Sequence, residues 1–439
     1  MFNLSTLSRS SAVLALCLSA SACDPAPQES TCEDSETQTP GAVDGPFERI
    51  TSVSFGPDNV LFIGDATNAT VTAVDVGADA GYQDAHFNLF SVDALIATHF
   101  GVPSGTLAIP DMAVHPTTAE VYVAVTQTTA DSTASTVVKV TPDGTVTEVD
   151  VGSATTHTLK DAISEEITFW GRESARTYSI TDMDYADGYL YVAGLTNADF
   201  ASTLHKVPYP FDGSEAASTV GIYHAGHGQT ETRAPIRTQT ILTLGGEPYM
   251  LAAYTCTPLV LIPLGEIEDG AHITGKTIGE MGSGNTPRDI MQINGQNLMT
   301  GESQPMVLLT NEQLGGMTIL LSDLEAAVDA PGLTEPLGLG GGTAGVPFSP
   351  AAMWSYSNSV AQGPGRVLHT FDNPQTGGID LLSTHAGVFM RLSGFIGEYE
   401  FNNWTCDTPE VEAMMQGAAA IAADEGIDLS SIMTGRDCE

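Results

Sequence analysis

His224-Ala-Gly-His227 is a pairing of metal-binding side chains: two imidazoles three residues apart in a glycine-containing loop can turn toward one ion. Glu231, Cys256 and His205 are the residues that could join them in space, and nitrogen, carboxylate and thiolate donors together suit a divalent or copper ion. One His-x-x-His is a weak pattern taken alone. His115, His369 and His385 fall in or beside strand-like runs and read as packing residues.

A second chemistry lies in the arginines. One phrase recurs between Trp170 and Arg288: arginine in a loop, then the opening of a strand, then a turn and a second strand. It carries Arg172 and Arg176, then Arg233 and Arg237, then Arg288, five of the 14 basic residues of a very acidic chain. An aspartate opens the strand in Ile109-Pro-Asp111-Met, Ile180-Thr-Asp182-Met and Pro287-Arg-Asp289-Ile. Two readings stay open. Arginine and aspartate could pair between neighbouring units and lock them together, as buried charges need partners. Alternatively, five arginines against three aspartates leave two positive charges that hold an anion such as a carboxylate, phosphate or sulfated sugar bidentately. Other motifs fail on context. Gly340-Gly-Gly342-Thr-Ala-Gly345 fits G-x-G-x-x-G, but Val346-Pro347 follows where a helix would have to start. Asp182 to Asp187-Gly188 reads as a strand turning at Asp-Gly rather than a calcium loop, and no G-x-S-x-G occurs.

The elements that must position these groups are short strands. Ile50–Phe55, Val60–Gly64 and Thr70–Val76 flank tight turns and form a three-stranded meander. Comparable triplets begin near Ile109, Ile180, Thr240, Asp289 and Met353, and the runs 388–392 and 398–401 could complete a seventh. Gly 45, Pro 24 and few charges also favour turns and short strands over helices. The expected fold is all-β, a six- or seven-bladed β-propeller over 46–405, with a β-sandwich as the alternative. Ser91–Phe100 has helical spacing. Thr408-Pro409 followed by Val411, Met414, Met415, Ala418 and Ile421 predicts a short C-terminal helical cap over 406–439.

The phrase Phe55-Gly-Pro-Asp-Asn-Val-Leu-Phe-Ile-Gly-Asp65 resembles the blade signature of gluconolactonase and NHL-type propellers, and the middle of the chain is similar to exported bacterial propeller lipoproteins. The resemblance implies the propeller and an exported location. It also implies a divalent ion in the channel, held by Glu, Asn and Asp, where this chain places arginine.

Residues 1–22 read as an export signal, with Arg9 ahead of the apolar run Ala12 to Leu18. Ala20-Ser-Ala-Cys23 resembles a lipobox, which implies acylation of Cys23 and anchoring to a bilayer. The expected location is the cell envelope of a Gram-negative bacterium, periplasmic or outer-surface. Residues 23–45 have the composition of a tether. Removing the signal takes Arg9 and no acid, so the formal charge moves from −40 to −41, which disfavours nucleic acid as a partner and leaves an anionic small molecule or an acidic protein segment at the arginines. Cys32, Cys256, Cys406 and Cys438 then remain, and the expected pairs are Cys406 with Cys438 and Cys32 with Cys256.

Overall fold

Strands of alternating burial build the molecule. The computed structural model describes residues 41–384 apart from short stretches, among them 79–87, 170–172, 256–257, 283–285 and 360–366; residues 1–40 and 385–439 lie outside the described residues. The protein is mostly β-sheet, with two short α-helices among the described residues, Val92–Phe100 and Leu321–Asp329.

Five antiparallel meanders follow one another. The first holds Ile50–Phe55, Val60–Asp65 and Thr70–Asp75, with Thr155–Thr158 added at its outer edge. The second holds Met112–Val114, Val121–Thr128, Thr133–Val140 and Val146–Glu148. The third runs Asp182–Ala186, Tyr189–Leu195, Ser202–Pro208 and Ala216–His224; the fourth, Ile236–Leu244, Glu247–Tyr254, Pro258–Pro263 and His272–Met281. Their outer strands pair in parallel, Thr219 to Ile222 against His272 to Gly275, so eight strands form one path. Its two ends meet again where the Gln239 N–H donates to Asp182 Oδ2 at 2.7 Å, which leaves this sheet nearly closed. The fifth meander holds Pro287–Asn297, Ser303–Asn311, Met317–Leu320 and Ser349–Pro350.

The period of two along each strand decides what packs where. In the first meander Leu61 and Ile63 face the second, joining Ala113, Tyr122 and Val137, while Val60 and Phe62 face the third, joining Ile180, Met183 and Leu190. Tyr191 and Ala193 pack toward the fourth meander with Met250 and Tyr254; Leu251 and Ala253 pack toward the fifth with Val307 and Leu309. The first, third and fourth sheets are therefore apolar on both faces, and the second packs its other face against Val92, Ile96 and Ala97 of the first helix. Two close approaches depend on glycine. A Cβ at Gly194 would stand 2.0 Å from the Ser179 carbonyl oxygen, and Gly228 has φ +64° with Pro336 against it.

Several expectations need adjustment. Each unit was expected to hold three strands; fourth strands such as Ala216–His224 and His272–Met281 complete the sheets. The sixth triplet does not form as drawn: Trp354–Ser359 pairs with Pro287–Asn297, while Val367–Asn373 and Gly378–Thr384 make a hairpin with Asn88–Leu89. Order also begins inside the expected tether, since Val43 is buried and its N–H donates to Gln127 Oε1 at 2.9 Å. The runs 388–392 and 398–401 and the C-terminal cap lie outside the described residues. The two disulfides are withdrawn: no disulfide forms among the described residues, and all six cysteines, including Cys23, Cys32, Cys256, Cys406 and Cys438, lie outside them. The described fold is held by strand ladders and the cores between sheets.

Candidate functional site

The His-x-x-His loop is the tip of a hairpin. Strand Ala216–His224 turns through Ala225–Gly228 and returns as Gln229–Glu231, pairing His224 with Gln229 and Ile222 with Glu231. The His227 N–H closes onto the His224 carbonyl at 3.1 Å, which brings the two ring centres to 3.8 Å with their planes tilted by 41°. Glu231 reaches both: Oε2 lies 3.2 Å from His224 Nδ1 and Oε1 2.6 Å from His227 Nδ1. One ligand atom from each of the three lies within 4.8 Å of the others. A tetrahedral ion bonded at about 2.1 Å needs donors roughly 3.4 Å apart, a spacing within reach of small side-chain rotations. The cluster could therefore hold a divalent ion.

Its surroundings are asymmetric. His224 is buried and its Nε2 faces Glu280 Oε2 at 3.9 Å, while Glu280 Oε1 accepts the Ala225 and Gly226 N–H groups and so fixes the turn. The His227 side chain is half exposed and gives the cluster an open side. Burial opposes ionisation of Glu231, but the hydrogen bonds from His224 and His227 outweigh it and hold the carboxyl down at about 2. His205, a candidate third ligand, lies elsewhere, bonded to Glu215, and Cys256 is outside the described residues.

The strand-opening aspartates behave alike. Asp111, Asp182 and Asp289 each accept the N–H of the following residue at 2.7 Å. Asp111 Oδ2 also takes the Val53 N–H, and Asp182 takes Gln239 N–H and Ser52 Oγ, so these carboxylates tie one inner strand to the next. The partners sought among arginines are thus backbone and hydroxyl donors. Burial raises all three acids, Asp182 to about 6 and Asp289 to about 7, with repulsion from Asp182 adding to the latter. Asp184, two residues on in the same strand as Asp182, joins them: its Oδ2 is buried without a hydrogen-bond partner, and burial with repulsion from Asp182, Asp289 and Asp111 raises it well above the ordinary range.

The arginines divide. Arg237 and Arg288 line a cavity of about 480 Å³ above Asp111, Asp182 and Asp289, together with Arg49, which the spacing argument overlooked because it precedes the first meander, outside the repeated phrase. Arg288 also donates to the Ile109 carbonyl, and Arg237 lies 6.0 Å from the Tyr178 ring centre. Arg176 turns away, giving Nε to the Thr67 carbonyl and Nη1 to the Ile163 carbonyl, while Arg233 is exposed and Arg172 lies outside the described residues.

One further charged cluster was missed. Glu215 is buried with Oε2 3.0 Å from His157 Nε2 and Oε1 on His205 Nδ1; the Lys160 N–H donates to it and Lys160 Nζ caps its carbonyl. Burial pushes the Glu215 carboxyl up, but these bonds prevail and bring it to about 2. The contacts join residues 157, 160, 205 and 215, which no local motif connects.

Fold and site together define a mostly β protein with one nearly closed eight-stranded sheet, carrying a His, His, Glu cluster on one hairpin. No protein-family model matches the chain, and no curated protein matches it. Among solved structures the likeness is partial and to propeller-like folds. Drosophila Semaphorin 1b extracellular domains 1–2 align at 9% identity over 77% of this chain and 87% of that one, TM-score 0.29. The PQQ-bound aldose sugar dehydrogenase of Streptomyces coelicolor aligns at 12% over 77% and 94%, TM-score 0.29. The Nup133 β-propeller domain of Vanderwaltozyma polyspora aligns at 11% over 46% and 53%, TM-score 0.17.

Proposed function

We propose that this chain is an exported six-bladed propeller, lipid-anchored through Cys23, whose chemistry is metal-dependent and centred on His224, His227 and Glu231. Five meanders packed face to face, with the Val367–Thr384 hairpin and Asn88–Leu89 as a sixth unit, support the blade count. The observation that carries the metal reading is the convergence of three ligand atoms within 4.8 Å. Two nitrogens and a carboxylate with an open side suit an ion that polarises a bound substrate or water, so metal-assisted hydrolysis is the reaction class. Glu280 sets the turn that presents His224. Dialysed wild-type protein should retain close to one equivalent of zinc or copper by mass spectrometry, and the His224→Ala, His227→Ala double variant should retain almost none. Equal metal content in the two proteins sinks this reading. Incorporation of labelled palmitate, abolished by Cys23→Ala, tests the anchor.

A second reading has its own observation. The cavity lined by Arg49, Arg237 and Arg288 suits an anionic group, whether of a small molecule or of a partner's acidic segment. Acetate or phosphate should raise the melting temperature, and Arg237→Ala should abolish the effect.

A further inference from the structure

Beneath the 480 Å³ cavity lies a second one of about 230 Å³, and Asp111, Asp182 and Asp289 line both. The two therefore stack along the inner strands: the upper is walled by residues ahead of these aspartates, the lower by residues after them. Their charged groups differ. The upper holds Arg49, Arg237 and Arg288 beside Glu173 and the shared aspartates, whereas the lower adds Asp184 and Gln239 and contains no arginine or lysine among its lining residues.

The lower cavity contains acceptors in want of a donor. Gln239 is 3% exposed and lines it; its Nε2 donates to the Tyr191 carbonyl at 2.9 Å, and its Oε1 has no hydrogen-bond partner. Asp184 Oδ2 is in the same condition. Buried acceptors left bare are costly, so two of them on residues that line one cavity point to something that donates hydrogen bonds and carries positive charge. A directly coordinated metal fits poorly. Among the described residues only His224, His227 and Glu231 bring three ligand atoms within 4.8 Å of one another, so no three of these aspartates do. An ammonium group, with tetrahedral N–H directions and N···O distances of about 2.9 Å, serves two acceptors roughly 4.7 Å apart.

We infer that the axial channel binds a small zwitterion, its carboxylate at Arg237 and Arg288 and its ammonium at Asp184 and Gln239. The inference rests on the second reading above, that the arginine cavity takes an anionic group, and is independent of the hairpin metal cluster. The raised carboxyls of Asp111 and Asp184 agree with it, since a bound ammonium supplies a counter-charge beside them.

The test is calorimetry at pH 7.5 on the wild-type protein with ω-amino acids from glycine to 6-aminohexanoate, each compared with the alkanoate and the alkylammonium of the same length, and with calcium. At least one amino acid should bind tenfold or more tightly than either half-molecule. Asp184→Asn should reduce its affinity to that of the alkanoate, and Arg237→Gln to that of the alkylammonium. Alkanoates binding as tightly as every amino acid would overturn the zwitterion while leaving the anion reading standing. No binding by any organic probe would remove both, and calcium binding without amino-acid binding would reassign the lower cavity to a metal. The wild-type series decides the matter even if a variant fails to fold.

Discussion

Replacing Glu215 by glutamine removes one negative charge and little volume from the centre of the His157, His205 and Lys160 cluster. The glutamine carbonyl can accept from one histidine, but its NH₂ faces the other. Removing one partner of a buried ion pair typically costs about 3–5 kcal/mol. With an unfolding entropy of about 2.1 cal/mol/K per residue over roughly 350 residues, or ~0.7 kcal/mol/K, the melting temperature should fall by about 4–7 °C. The pH dependence gives a sharper reading. Glu215 sits at about 2 in the folded protein against an ordinary 4.5, so its stabilisation is complete above 4.5 and is lost as pH falls toward 2. Glutamine cannot titrate. The gap between wild type and Glu215→Gln should therefore be widest near pH 7 and close between pH 4.5 and 2. Thermal unfolding followed by circular dichroism at pH 7, 5 and 3 measures it. A gap under 1 °C at pH 7, or one that persists unchanged into acid, refutes the reasoning.

Other outcomes follow from the same structure. Asp184→Asn should stabilise the protein at pH 8, because a carboxyl whose folded pKa is raised above its unfolded one opposes folding once the unfolded chain ionises it. That advantage should vanish near pH 4, and a destabilised variant at pH 8 would contradict it. Gly194→Ala should lower stability by about 1–3 kcal/mol or abolish folding, since the new Cβ would meet the Ser179 carbonyl; a melting curve equal to wild type would count against the close approach. The metal content of His224→Ala, His227→Ala and the amino-acid titration are the remaining two tests.

Much of the meander pattern was legible because period-two burial is written directly in the residues. Val60-Leu-Phe-Ile and Tyr249-Met-Leu-Ala-Ala-Tyr254 are apolar at every position because both faces meet another sheet, and they read as central strands. The outer strands escaped notice for the opposite reason: Ala216–His224 and His272–Met281 mix Ser, Thr, Gly and His with single apolar residues, a weak signal until partners are known. Glu231 was visible because it lies four residues from His227 and one hairpin turn brings it back. Glu215 was not, because its histidines come from distant parts of the sequence and only the folded sheets bring them together. Formal charge alone could not separate the arginines that share a cavity with the aspartates, Arg237 and Arg288, from Arg176. Asp111 and Asp182 are satisfied mainly by main-chain N–H groups, donors that composition cannot reveal, which left Arg176 to cap carbonyls elsewhere.

The parallel seam between Ala216–His224 and His272–Met281 has a mechanical consequence. Two outer edges that would otherwise offer bare amides to a passing strand are spent on each other, so this flank gives no template for sheet-to-sheet aggregation. It also joins the third and fourth meanders into a single block whose amides must open together during hydrogen exchange. The histidine hairpin springs from the end of that block, which gives its ligands a rigid mount rather than a loose loop.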